Sequence, residues 1–195
     1  MDCYSSKKFH RRIWSMDNTG ASLRTTARVA GFTFLVYIAA GLSSMALGGE
    51  SQALDLLNLL MSFSALVLGV TLYALTREQG PILAMFAMMC RVAEGIQFGE
   101  SAIYFAVSSL IFSWLFLKGR SIPTWLAQLG LAASILLVVV LPLQLAGSLG
   151  GVASWASSVT WLVWLPMLVF EVTLAFWLTI KGVAISALQN RLSNS

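Results

Sequence analysis

The chain holds a single histidine, His10, and it lies in the polar segment ahead of the first apolar run. Histidine-based metal sites and Ser/His or Cys/His dyads are thereby excluded from everything downstream. Charge is equally scarce. Only 10% of residues are Asp, Glu, Lys or Arg against 58% hydrophobic, and the mean hydropathy is +0.82, which excludes an ordinary soluble domain. Aspartate is limited to Asp2, Asp17 and Asp55, so the apolar runs lack the paired aspartates of an intramembrane peptidase. No Gly-rich phosphate loop links a strand to a helix. The two cysteines, Cys3 in the polar segment and Cys90 inside an apolar run, are too differently placed to pair. Together these absences speak against an enzyme, and no cofactor is announced. The net charge of +4 would suit nucleic acid, but the basic residues flank apolar runs, where they set membrane orientation. Nucleic acid is therefore not an expected partner; the lipid bilayer is.

What the sequence does contain is six apolar runs, at about 28–47, 55–75, 81–99, 101–117, 124–146 and 157–180. Each is near the ~17 to 25 residues that a bilayer requires. The third and fourth form one stretch, Pro81 to Leu117, without a clear loop. As a single helix it would run about 55 Å, nearly twice the ~30 Å hydrocarbon core, so a tight hairpin is predicted at Gly99-Glu100-Ser101. The expected fold is all-α, an integral membrane bundle of six transmembrane helices with both termini cytoplasmic. Residues 1–26 read as a basic cytoplasmic tail, 27–183 as the transmembrane domain and 184–195 as a short cytoplasmic tail. Phe9, Ile13 and Trp14 give the first tail a short apolar stripe suited to an anionic lipid surface. Ser44-Met45-Ala46 mimics a cleavage site, but the run before it is long enough to span, and an uncleaved first helix is expected.

Charge placement supports six spans. The tail cations, Arg28, Arg77, Lys118, Arg120, Lys181 and Arg191 all fall on one side, while the segments near 47–54, 99–101 and 147–156 carry no Lys or Arg. Fusing runs three and four would strand Lys118 and Arg120 on the wrong side. Trp114, Trp125 and Trp177 are expected near the inner interface, Trp155 and Trp161 near the outer, and Trp164 deeper as packing. Pro142 and Pro166 inside the last two runs each free a backbone carbonyl and can kink a helix.

The feature that demands a partner is Arg91 with Glu94, three apart on one helical face in the middle of run three. Charge at that depth costs at least a few kcal/mol by insertion scales, so it must face protein or water. Arg91 is ten residues beyond Pro81 and Glu171 ten before Lys181, which sets both about 15 Å into the membrane from the same side. An Arg91–Glu171 pair is the first expectation, since a guanidinium keeps its charge when buried and a carboxylate accepts two of its donors. Glu94 then takes the remaining donors or carries a proton. Two readings of the cluster Arg91, Glu94 and Glu171 stand side by side: a device that fixes helix register, or a ligand or proton site.

Lesser features read mostly as packing. Gly95 and Gly99 form a small-xxx-small spacing that lets helices approach, within the bundle or between protomers. Met85, Met88 and Met89 beside Cys90 have ligand types that suit Cu(I), but a methionine stripe on an apolar helix is an ordinary packing feature, and no metal site is expected. Asn58, Ser62, Ser64 and Thr71 serve as hydrogen-bonding glue.

Arg28-Val29-Ala30-Gly31 with the run through Gly41-Leu42, Leu72-Tyr73-Ala74-Leu75, Arg91-Val92-Ala93-Glu94, Ser121-Ile122-Pro123-Thr124-Trp125-Leu126, and Glu171 to Trp177-Leu178 with Lys181-Gly182-Val183 follow one another along the chain. In that order they resemble an uncharacterised bacterial membrane family, domain of unknown function 4386. The resemblance implies a multi-span protein of the bacterial inner membrane without an established activity. One departure is that only Gly95 to Leu117 separate the Arg-x-x-Glu motif from the next basic turn, fewer residues than relatives have, so runs three and four look trimmed. The expected role is non-catalytic binding or assembly, as an accessory subunit of a larger membrane complex or in a homo-oligomer. The alternative is a small transporter or ligand receptor that uses the Arg/Glu cluster.

Overall fold

Short links between apolar runs force consecutive helices to lie beside each other in opposite directions, and the computed structural model has that arrangement. It describes residues 3–47, 51–96, 100–146 and 158–183, with side chains from residue 22 in the first helix and from residue 161 in the last. All regular structure among them is helical: α1 (Cys3–Leu47), α2 (Gln52–Thr76), α3 (Pro81–Gly95), α4 (Ser101–Gly119), α5 (Thr124–Leu145) and α6 (Ser158–Ile180). Each helix packs on its neighbours in sequence, and α6 returns to α1, which closes a ring of six.

The ends are set by local chemistry. Ser51 caps α2, its hydroxyl accepting the Leu54 amide at 3.3 Å. Pro81 occupies the first turn of α3, where its missing N–H costs nothing. α4 ends where Arg120 turns left-handed at φ 49°, letting the Ser121 amide reach the Phe116 carbonyl at 3.3 Å. Gly182 does the same after α6 at φ 70°, donating to the Trp177 carbonyl at 3.1 Å.

The expected break between runs three and four is present: α3 stops at Gly95, and α4 starts at Ser101 and packs back on it. α3 closes four residues short of the end of its apolar run, and Gly99 of the expected hairpin lies outside the described residues. At 15 residues α3 is about 22 Å long, short of the hydrocarbon core. The other five helices are long and apolar enough to cross a membrane. A second difference lies in α1. No break occurs at residue 26; the helix continues from Cys3 through the basic segment to Leu47, 45 residues and about 68 Å.

Close helix crossings depend on glycine. A Cβ at Gly31 on α1 would lie 2.6 Å from the Ala175 carbonyl oxygen of α6, the contact that closes the ring. One at Gly95 would lie 3.0 Å from the Ser62 carbonyl oxygen of α2, so Gly95 packs α3 on α2. The four-residue spacing to Gly99 is not carried by α3, and Gly99 itself lies outside the described residues, as do Trp155 and the segment 184–195. Gly69 of α2 approaches Arg91 just as closely, its Cβ position 3.0 Å from that of Arg91. Large apolar side chains such as Phe32, Ile82 and Leu162 point outward, as lipid requires, while Phe34, Leu68, Phe112, Leu137, Met167 and Leu178 fill the interior.

The antiparallel arrangement gathers Arg24, Arg28, Arg77, Lys118, Arg120 and Lys181 at one end of the ring. Lys118 ties that end together by donating to the Gln79 carbonyl at 2.8 Å, and Lys181 lies over the Trp177 ring at 4.4 Å. Among the described residues, the opposite end has only Asp55 and Glu100 as charges.

Candidate functional site

The short helix α3 brings Arg91 and Glu94 to the interior of the ring, where Arg91 is the largest fully buried side chain, 1% exposed. Its first partner is the neighbour one turn on. Nη1 donates to Glu94 Oε2 at 3.0 Å and Oε1 at 3.3 Å. Nη2 donates to Ser109 Oγ of α4 at 3.1 Å. The Phe105 ring, also from α4, lies beneath the guanidinium at 4.7 Å. Glu171 arrives from α6 at the matching depth, but its Oε1 is 3.9 Å from Nη2, an ion pair without a hydrogen bond. The expectation that Arg91 pairs first with Glu171 is thus reordered: the i,i+3 neighbour takes the donors because the same helix holds it in reach, and Glu171 is left at longer range.

Glu94 has a second donor that the sequence reading missed. Tyr37 of α1 donates its hydroxyl to Glu94 Oε1 at 2.6 Å. Glu94 therefore receives three hydrogen bonds, from α1 and α3, and its charge is well supported. Glu171 has no such support; Oε1 has no hydrogen-bond partner, and neither do Arg91 Nε and Ser113 Oγ. These three atoms belong to residues lining one void of about 10 Å³, close to the space of a single water molecule.

On the other side of the cluster is a cavity of about 250 Å³. It reaches from the ends of α1 and α4, at Met45 and Ser101, past Trp161 and Trp164 of α6 down to Glu94 and Glu171. Trp161 to Glu171 is about 15 Å along the helix, so the cavity enters from the cation-poor end and stops at the carboxylates. Trp164, expected as packing, is both packing and wall: its ring meets Phe105 at 5.6 Å between centroids and it lines the cavity. Tyr37 lines it too, while Arg91 faces only the small void behind.

The methionine stripe does not converge on a ligand site. Met85 and Met89 face outward, whereas Cys90 is buried. Among the described residues no group of three or more His, Cys, Asp or Glu could hold a metal ion. Thr71 donates to carbonyls of its own helix, Val67 at 2.8 Å and Leu68 at 3.2 Å.

The sequence held a signal for Tyr37: a tyrosine mid-span, away from the interface where tyrosine usually lies, needs a hydrogen-bond partner in the interior. Ser109 carried a weaker one, since serines are common at helix contacts in membranes.

Comparison with known proteins adds fold-level context. No curated protein and no solved structure matches the chain. Residues 98–182 match the model of a domain of unknown function (DUF4386). The matched part holds α4, α5 and the described part of α6, and with them Ser109 and Glu171, whereas Arg91, Glu94 and Tyr37 precede it. Over residues 98–182, then, this multi-helix membrane-type chain resembles that family of unknown function.

Proposed function

We propose that this is a membrane-embedded binding protein, a ligand receptor or small transporter, whose site is the cavity that ends at Glu94 and Glu171. The observation that carries the reading is the cavity itself: about 250 Å³, apolar walled, with two carboxylates and the Tyr37 hydroxyl at its closed end. A cluster that served only helix register would need a dry, closed core, and here Glu94 and Glu171 line a cavity of about 250 Å³. The setting for this role is a bundle of six spans in a bacterial inner membrane. Residues 1–26 and 184–195 are its cytoplasmic tails, and 27–183 its membrane domain. Both termini lie on the cytoplasmic side. The cations gathered at one end support that orientation. An assembly role as an accessory subunit has the short loops in its favour and no specific contact.

The test is binding of small aromatic fragments to the full-length protein in lipid nanodiscs. A 150 Å³ cavity accommodates benzene, so about 250 Å³ corresponds to about ten heavy atoms. Saturable binding, read by tryptophan fluorescence, is expected in the wild type. Gly41→Leu, which fills the cavity from α1 where Met61 leaves 3.6 Å, abolishes it without lowering the thermal midpoint much. Absence of saturable binding to a monodisperse wild type overturns the reading in favour of the assembly role.

A further inference from the structure

Counting charge inside the ring goes one step beyond the existence of a site, and it rests on the binding reading above. Between the charged ends, the described helices hold three ionisable Arg or Glu side chains, Arg91, Glu94 and Glu171. One guanidinium thus faces two carboxylates. Nη1 is given to Glu94 and Nη2 to Ser109, Nε has no partner, and Tyr37 adds a donor to Glu94, so the hydrogen-bonded ion pair of Arg91 is the one with Glu94. Glu171 is left 3.9 Å from Nη2, 5% exposed, with Oε1 unbonded. An unpaired carboxylate at that depth costs several kcal/mol, so Glu171 needs one positive charge of its own.

Among the described residues no other supplies it. The titratable groups brought to this place are Tyr37 from α1 and Arg91 and Glu94 from α3. α4 contributes the hydroxyls of Ser109 and Ser113, and α5 contains no Asp, Glu, Lys, Arg or His. The missing charge must come through the cavity, whose wall carries the aromatic side chains Phe105, Trp161 and Trp164, a lining that suits a cation. An anionic ligand would meet two carboxylates at the closed end and is excluded.

We infer that the cavity takes an organic monocation, an amine or quaternary ammonium with an aromatic or alkyl body of about ten heavy atoms, and that this cation and a proton compete for Glu171. In the empty site Glu171 is a neutral acid. When the cation arrives, the O–H bond breaks, the electron pair stays on the carboxylate facing the cation, and the proton leaves to bulk water through the cavity. One proton is released for each cation bound, which is the elementary step of cation–proton exchange.

Benzyltrimethylammonium is the probe, because its charge is permanent and any proton released comes from the protein. Neopentylbenzene is its neutral carbon isostere. Calorimetric titration of the full-length protein in nanodiscs, in two buffers of different ionisation enthalpy, counts protons. The expected result is saturable binding of the cation, at least tenfold tighter than the isostere, with close to one proton released between pH 6 and 8. Glu171→Gln cannot ionise, so it weakens cation binding at least tenfold, removes proton release and erases the cation's advantage over the isostere. Equal affinity for cation and isostere overturns the charge inference while leaving the binding site standing. Binding of the cation without proton release overturns the exchange. Failure of both probes to bind overturns the site together with the inference.

Discussion

If Arg91 belongs to Glu94 rather than to Glu171, double-mutant cycles will say so. The Coulomb attraction cannot separate the two, since separations of 3.0 and 3.9 Å change it by a factor of only about 1.3. Hydrogen bonding does. Nη1 makes two hydrogen bonds to Glu94 and Arg91 makes none to Glu171, and a bond to a charged group contributes about 1.5–3 kcal/mol. Cycles combining Arg91→Met with Glu94→Gln and, separately, with Glu171→Gln are followed by tryptophan fluorescence during unfolding in mixed micelles. Arg91→Met alone leaves the buried Glu94 carboxylate without its cation and should destabilise by about 3–5 kcal/mol. The Arg91–Glu94 coupling should exceed the Arg91–Glu171 coupling by about 1.5 kcal/mol or more. Membrane interiors average lower couplings than water-based estimates suggest, so the difference between the cycles is the safer readout. Equal couplings, or a larger one to Glu171, would refute the assignment. They would also move the uncompensated carboxylate from Glu171 to Glu94, and the cation site with it.

Two further outcomes test the frame around the site. Gly31→Ala pushes a methyl to 2.6 Å from the Ala175 carbonyl oxygen and should cost about 1–3 kcal/mol by forcing α1 and α6 apart; an unchanged thermal midpoint would mean the ring is not closed there. In a background of Cys3→Ser and Cys90→Ser, a membrane-impermeant thiol reagent applied to intact cells should label Ser51→Cys and spare Glu78→Cys, both at exposed positions. The reverse pattern would invert the orientation.

Most of the fold was legible in the sequence because a bilayer demands long apolar helices and cations mark one side of it. The limits of α2, α4, α5 and α6 lie within three residues of the apolar runs, since composition there changes abruptly at Ser51, Arg77, Glu100 and Pro123. α1 was less legible. Between Cys3 and Arg28 only the short stripe of Phe9, Ile13 and Trp14 has a helical period, too little to join the segment to the span, and backbone continuity does that. The early end of α3 was also hidden, because Ile96-Gln97-Phe98-Gly99 is apolar enough to extend a helix on composition.

The candidate site divides in the same way. That Arg91, Glu94 and Glu171 share a depth follows from counting residues along helices, a one-dimensional measurement that the sequence contains. Which carboxylate receives the guanidinium is decided by rotation and approach of separate helices: Gly69 lets α2 press against Arg91, and α1 delivers Tyr37 to Glu94 across 57 residues of chain. The cavity has no sequence signature at all. It is the volume left among α1, α4 and α6, and only the packed ring shows that this volume ends at Glu94 and Glu171.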